Sequence, residues 1–228
     1  MIGEKTTVER AAPAERLRRR ELLRQASVYL VTEESLSDGR RSEAIAEAAL
    51  AAGVRAIQVR EKEGSVRRAL EIATAVRELT RRYGALLIVN DRVDFALAVE
   101  ADGVHLGQDD MPVEEARRLL GPDALIGLSI TAQDQLHAPD VAAADYLGVG
   151  AVFPTGSKAD ATLTGLPLLE AARRATAAPI VAIGGIGAAN AAAAMAAGAD
   201  VVAVISAITQ APDPEVAAAE LLARAARR

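Results

Sequence analysis

The 228-residue chain has no cysteine and no tryptophan, and its only aromatic rings are three tyrosines and two phenylalanines. Without a thiol there is no disulfide, no thiolate nucleophile and no cysteine-ligated metal, which is compatible with a reducing compartment. With rings at 2% of the chain, the stacking platforms that hold single-stranded nucleic acid are missing, so no nucleic-acid partner is expected. No apolar run reaches membrane-spanning length, and the N-terminus lacks the apolar core of a signal peptide. The expectation is a cytoplasmic protein with no membrane partner. Lysine is scarce as well: of 26 basic residues only Lys5, Lys62 and Lys158 are lysines. A compact ammonium on a flexible stem differs from a planar guanidinium fork, so a chain that otherwise uses Arg either keeps Lys where the ammonium itself is wanted or has it by chance.

What is present is apolar: 51% of the residues are hydrophobic, ample for a buried core. Charge is uneven. Residues 1–26 carry a net +3 and the remainder −8, for a total of −5. In the first segment Arg16, Arg18, Arg19, Arg20 and Arg24 alternate with Glu4, Glu9, Glu15 and Glu21, a pattern that suits a solvated helix better than a nucleic-acid arm. An acidic body that binds an anion needs local cations or a metal.

From residue 27 onward, short β-branched or apolar runs alternate with longer Ala-, Leu- and Arg-rich stretches, and eight such units can be counted. Strands are expected at 28–32, 56–60, 86–90, 103–105, 125–129, 146–150, 180–184 and 201–205, with helices at 42–52, 66–82, 113–120, 167–177 and 190–197. Continuous apolar strands are buried on both faces, and strand–helix alternation implies a parallel sheet with helices outside. Eight repeats in this length predict an α/β fold, a single (β/α)8 TIM barrel over residues 27–228 preceded by a charged helical extension, 1–26. A doubly wound open sheet is the alternative.

In such barrels chemistry sits at strand C-terminal ends and in the loops after them. Asp91 and Asp110 would project from neighbouring loops, where two carboxylates can hold Mg2+ together with substrate phosphates. Read singly, each is a helix cap; with cations nearby, the metal reading is the better one. Arg60, Lys62 and Lys158 would bring three cations to the same mouth, matching a diphosphate, unless Glu61, Glu63 and Asp160 pair with them. Gly184 and Gly185, after an apolar strand and before a helix, would let backbone N–H groups approach a phosphate, with Ser206 beside them. His137 is expected on the surface. His105 either contacts substrate or fills the barrel.

Seven segments in this order resemble the thiamine-phosphate synthase family over roughly residues 27–210. They are Tyr29-Leu30-Val31-Thr32, Gln58-Val59-Arg60-Glu61-Lys62, Val89-Asn90-Asp91-Arg92, Ala101-Asp102-Gly103-Val104-His105-Leu106-Gly107-Gln108, Ile126-Gly127-Leu128-Ser129, Gly150-Ala151-Val152-Phe153-Pro154-Thr155-Gly156-Ser157-Lys158 and Ile183-Gly184-Gly185-Ile186. The resemblance implies a transferase that condenses 4-amino-2-methyl-5-(diphosphooxymethyl)pyrimidine with 4-methyl-5-(2-phosphooxyethyl)thiazole, or its carboxylated form, releasing pyrophosphate. It places the pyrimidine diphosphate on Gln58, Val59, Arg60, Glu61, Lys62, Asn90, Ser129 and Lys158, and Mg2+ on Asp91 and Asp110. It places the thiazole phosphate on Thr155, Gly156, Ser157, Gly185, Ile205 and Ser206. Arg60, Lys62, Ser129 and Lys158 are the residues it implies for catalysis, by a dissociative route with no protein nucleophile. Two departures stand out: Ser157 occupies a position where relatives often have Thr, and Ile130-Thr131 follow Ser129 where many carry a His two positions on. The related thiazole tautomerase uses that His, so its absence argues against an isomerase. A non-catalytic phosphate-binding regulator is the third reading, and oligomeric state is left open, a homo-oligomer included.

Overall fold

The computed structural model describes residues 13–156 and 162–226. Eight short strands pair side by side in chain order, all parallel, and the last closes onto the first. They are β1 (Val28–Thr32), β2 (Ala56–Val59), β3 (Leu86–Asn90), β4 (Gly103–Leu106), β5 (Leu125–Ile130), β6 (Tyr146–Val149), β7 (Ile180–Ile183) and β8 (Val201–Val204). The helices are α1 (Ala14–Gln25), α2 (Ser42–Ala52), α3 (Val66–Tyr83), α4 (Val93–Ala98), α5 (Val113–Leu120), α6 (Pro139–Ala143), α7 (Gly165–Ala175), α8 (Ala191–Ala196), α9 (Ser206–Thr209) and α10 (Pro214–Ala225). The chain is thus a (β/α)8 barrel and not an open doubly wound sheet.

Strand side chains alternate between two apolar layers. One layer, including Leu30, Ile57, Val59, Leu87 and Val204, packs under the helices. The other, including Tyr29, Val31, Ala56, Ile88, Leu125, Tyr146 and Ala203, fills the barrel interior. Because the period is two, each interior residue predicts the next one facing the mouth, and this fixes which polar side chains reach the site.

The first helix is not the solvated element its charges suggest. Leu23 is fully buried among the interior residues at the N-terminal end of the barrel, where withdrawing a Leu from water stabilises by about 2 kcal/mol. The cations follow it: Arg19 donates to the Asp102 and Asp123 carbonyls, Arg24 to the Ala177 carbonyl, and Arg16 lies 3.5 Å from the Asp145 carboxylate. The charge pattern is helical, as Arg18 and Arg19 both bond Glu15 one turn away, yet the helix closes the barrel floor.

Around that floor a clasp occurs three times. Asp102, Asp145 and Asp200 each precede an even-numbered strand, and each accepts a backbone N–H from the strand before, Leu87, Ile126 and Ile180 respectively, at 2.8–2.9 Å. Each also holds an Arg from the helix that precedes that earlier strand: Arg77 on α3, Arg117 on α5 and Arg173 on α7. These carboxylates are 5–7% exposed, a setting in which a charge persists only when paired and hydrogen-bonded.

Candidate active site

Two-residue alternation along the strands turns Gln58, Asn90, His105 and Ser129 toward the barrel interior near its C-terminal end, in register with the interior residues Ala56, Ile88, Gly103 and Gly127. Four of the expected site residues therefore share one mouth. Val59 falls on the other phase: its side chain is buried in the layer beneath the helices, so only its backbone is available to a ligand.

Both described cations of this mouth are engaged. Arg60 pairs with Glu33, a buried carboxylate just past β1 that the sequence reading did not single out. Lys62 lies 3.5 Å from Asp91. Glu61 pairs with neither: its carboxylate accepts from Ser42 Oγ at 2.6 Å and from the Glu34 N–H at 3.0 Å, tying the loop after β2 to the start of α2. The alternative pairing with Glu61 and Glu63 is not what forms among the described residues, and Asp160, its third acid, lies outside them.

Asp91 and Asp110 face each other across neighbouring loops. Burial, then hydrogen bonding and repulsion from Asp110, hold the Asp91 carboxyl above the usual carboxylate range, with Lys62 opposing. Neither residue caps a helix: the caps of α4 and α5 are Arg92 and Pro112, and neither makes a side-chain cap bond. Asp110 instead accepts the Gly107 N–H at 2.6 Å, which fixes it over the end of β4. Asp91 adopts φ 59°, a left-handed conformation uncommon outside glycine and tolerated best by Asp and Asn. Two carboxylates forced together have an oxygen-only donor set, and among the described residues no third His, Asp or Glu joins them. That fits Mg2+, which takes few protein oxygens and keeps the rest of its shell for water and phosphate.

The loops after β6 and β7 lie side by side. Val152 and Phe153 donate their N–H groups to the Ile183 and Gly184 carbonyls at 2.9 and 3.0 Å. Gly185, at φ 63°, sits so close that an added Cβ would stand 2.2 Å from the Pro154 carbonyl oxygen. This contact sets Phe153 and Pro154, the residues before Thr155, against Gly185. The following loop is already knit by Asn190, which accepts from the Gly187 N–H and donates to the Gly185 carbonyl, so that amide is occupied. Ile205 is half-buried against the barrel interior and Ser206 is exposed at the first position of α9. Ser157 and Lys158 lie outside the described residues. His137 is exposed, in a short 3-10 turn.

His105 fills the interior: its Nε2 bonds Ser129 Oγ at 2.9 Å and its Nδ1 bonds the Tyr146 hydroxyl at 3.1 Å, so both ring nitrogens are engaged inside the protein. Burial lowers its pKa to about 4, leaving the ring neutral at physiological pH. Tyr29 and Tyr146 were not among the expected site residues; the signal that could have found them is that two of only three tyrosines fall on barrel strands at interior positions. Thr131, where a tautomerase carries a His, is exposed, and its N–H is 2.7 Å from Gln135 Oε1.

The arrangement is a mouth with a carboxylate pair and ammonium on one side, hydrogen-bonding side chains at its base, and a paired-loop platform opposite. It suits binding of two phosphorylated molecules, and its Ser129–His105 contact belongs to an interior hydrogen-bonded set in which the other ring nitrogen of His105 is engaged by Tyr146. Comparison with known proteins agrees. Residues 28–208 match the family model described as thiamine monophosphate synthase. Thiamine-phosphate synthase of Moorella thermoacetica is 51% identical over 198 residues, 86% of this chain and 94% of that one. The Chloroflexus aurantiacus thiamine-phosphate synthase is 52% identical over 197 residues, 86% of this chain and 91% of its own. The solved thiamine phosphate pyrophosphorylase of Pyrococcus furiosus superposes with a TM-score of 0.81 at 40% identity, over 90% of this chain and 97% of that structure. The chain belongs to the thiamine monophosphate synthase family.

Proposed function

We propose that the protein is a thiamine-phosphate synthase that joins a hydroxymethylpyrimidine diphosphate to a thiazole phosphate and releases pyrophosphate, with CO2 lost as well when the thiazole enters in its carboxylated form. The observation that carries this reading is the Asp91–Asp110 pair, two repelling carboxylates held together beside Lys62 at the barrel mouth without serving either adjoining helix. Mg2+ held there would neutralise charge on the departing diphosphate. Lys62 and Lys158 bind that diphosphate, and Arg60, fixed by Glu33, adds its charge to the same mouth. Gln58 and Ser129 orient the pyrimidine, and Asn90 borders it. Thr155, Gly156, Ser157, Gly185 and Ser206 hold the thiazole phosphate, with Ile205 as an apolar wall.

The C–O bond to the diphosphate breaks first, the electron pair leaving with the oxygen. The resulting pyrimidine methyl cation is trapped by the thiazole nitrogen, whose lone pair forms the new C–N bond. The protein's part is to aim positive charge at the leaving group and hold the two rings in line. No side chain in the mouth has to give or take a proton, consistent with a neutral His105 whose nitrogens are engaged.

The test is pyrophosphate release by the purified protein given both substrates, with and without Mg2+. Release that requires both substrates and the metal supports the synthase. Absence of release from folded protein that still binds the thiazole phosphate overturns it.

A further inference from the structure

Five polar side chains from five strands form one hydrogen-bonded chain through the barrel interior. Gln58 Nε2 donates to the Tyr29 hydroxyl at 2.9 Å; the Tyr29 and Tyr146 hydroxyls are 3.3 Å apart; Tyr146 is 3.1 Å from His105 Nδ1; and His105 Nε2 is 2.9 Å from Ser129 Oγ. The rings pack as well as bond, with centroids 6.4 Å apart for the tyrosines and 5.4 Å for His105 and Tyr146. Space has been made for them. A Cβ on Gly127 would lie 2.1 Å from Tyr146 Cζ and 2.5 Å from His105 Nδ1, and one on Gly148 would lie 2.7 Å from His105 Cε1. Two neighbouring strands thus omit a side chain where the His–Tyr pair passes.

The chain has a direction. A hydroxyl has one hydrogen to give. Because Tyr29 accepts from Gln58, its own hydrogen goes to Tyr146; Tyr146 then gives its hydrogen to His105 Nδ1, which must be bare. A neutral imidazole with a bare Nδ1 carries its hydrogen on Nε2, and that hydrogen goes to Ser129. Ser129 is left with its own O–H to offer outward. Among the described residues Gln58 makes no other side-chain hydrogen bond, so its carbonyl and second N–H remain for a ligand.

We infer that Tyr29, Tyr146 and His105 are positioning residues that lock the Gln58 amide and the Ser129 hydroxyl into the polarity that selects a 4-aminopyrimidine over a 4-oxopyrimidine. This rests on the reading that the pyrimidine lies against Gln58 and Ser129. A 4-aminopyrimidine presents an amine donor beside a ring-nitrogen acceptor, matching the Gln58 carbonyl and N–H, and its second ring nitrogen accepts from Ser129. A 4-oxopyrimidine in its ring N–H form presents the reverse pair. A free glutamine would rotate its amide to suit it. Here rotation would place the Gln58 carbonyl against Tyr29, and every donor down to Ser129 would have to reverse, with His105 moving its hydrogen to Nδ1. One amide flip therefore costs the rearrangement of five residues, and an unmatched buried polar group is costly.

Two measurements test this. The first is the tautomer of His105 in the substrate-free protein by 15N NMR. Hydrogen on Nε2 is expected; hydrogen on Nδ1 overturns the inference whatever reaction the protein performs. The second compares kcat/KM for the 4-amino diphosphate and its 4-oxo analogue in wild type, Tyr29→Phe and Tyr146→Phe, with Tyr83→Phe as a control outside the chain. The preference for the amino substrate is expected to fall about tenfold or more in the first two variants and to hold in the control. A merely structural role would lower both substrates together, and an unchanged preference in folded Tyr29→Phe and Tyr146→Phe overturns the proposal. Should a variant fail to fold, the wild-type tautomer still decides. Loss of turnover with both pyrimidines in wild type would count against the synthase reading, while the tautomer measurement would judge the network separately.

Discussion

The two ends of this barrel treat carboxylates in opposite ways. At the floor, Asp102, Asp145 and Asp200 each receive a backbone N–H and an arginine, and α1 adds further cations from below. At the mouth, Asp91 and Asp110 are set against each other, and among the described residues a single lysine, 3.5 Å from Asp91, offsets their repulsion only in part. Both ends hold buried or half-buried acids on loops adjoining strands. The difference is that the floor supplies the countercharge itself, whereas the described residues of the mouth supply only part of it, and in the proposed function a ligand supplies the rest. Stored repulsion of this kind marks a binding centre, and complete pairing marks a structural joint.

The comparison can be broken by exchanging readouts. Asp91→Asn and Lys158→Ala should lower turnover by about 10²-fold or more, as expected when groups aimed at developing charge are removed, with folding retained. Pyrophosphate release and a melting curve on the same preparation check this. Asp145→Ala should do the converse. It leaves Arg117 and the Ile126 N–H without their partner, so we expect a loss of about 3–5 kcal/mol by denaturant titration, and unchanged KM values in the protein that remains folded.

A smaller effect should follow pH. Burial raises the Glu61 carboxyl above its ordinary value. A group whose pKa is higher folded than unfolded adds stability below its unfolded pKa, near 4.5, and that contribution is lost as pH rises through the folded value. Glu61→Gln can still accept from Ser42 and Glu34, and should therefore flatten the fall in stability across that window relative to wild type. Smallest of all, Arg118→Ala removes an exposed pair with Glu115 on α5 and should change stability by less than about 0.5 kcal/mol, which sets the zero of the comparison.

Much of the fold was legible because each strand is a continuous apolar run buried on both faces. The predicted 28–32 and 86–90 match β1 and β3, and each of the other strands differs by one residue at its C-terminal end. The α4, α6 and α9 helices escaped notice because four to six residues hold too little periodicity to see, and α10 is alanine-rich with a weak apolar stripe. The mouth residues were legible as polar groups at strand ends. Their partners were not: Glu33 meets Arg60 from a different strand, and only the register between β1 and β2 brings them together. The interior chain of Tyr29, Tyr146 and His105 likewise depends on which phase of each strand faces inward. The floor clasp did leave a trace, since an Ala-Asp pair precedes β4, β6 and β8 alike at 101–102, 144–145 and 199–200.

The claim that the mouth holds its carboxylates for a ligand and against the interest of the fold is tested most directly by the melting temperature of metal-free Asp91→Asn beside wild type. Asparagine tolerates the left-handed backbone at this position and removes one of the two repelling charges. The account predicts a melting temperature equal to or above that of wild type in a protein that has lost turnover. A fall comparable to that of Asp145→Ala would contradict it and make Asp91 a structural joint like those of the floor.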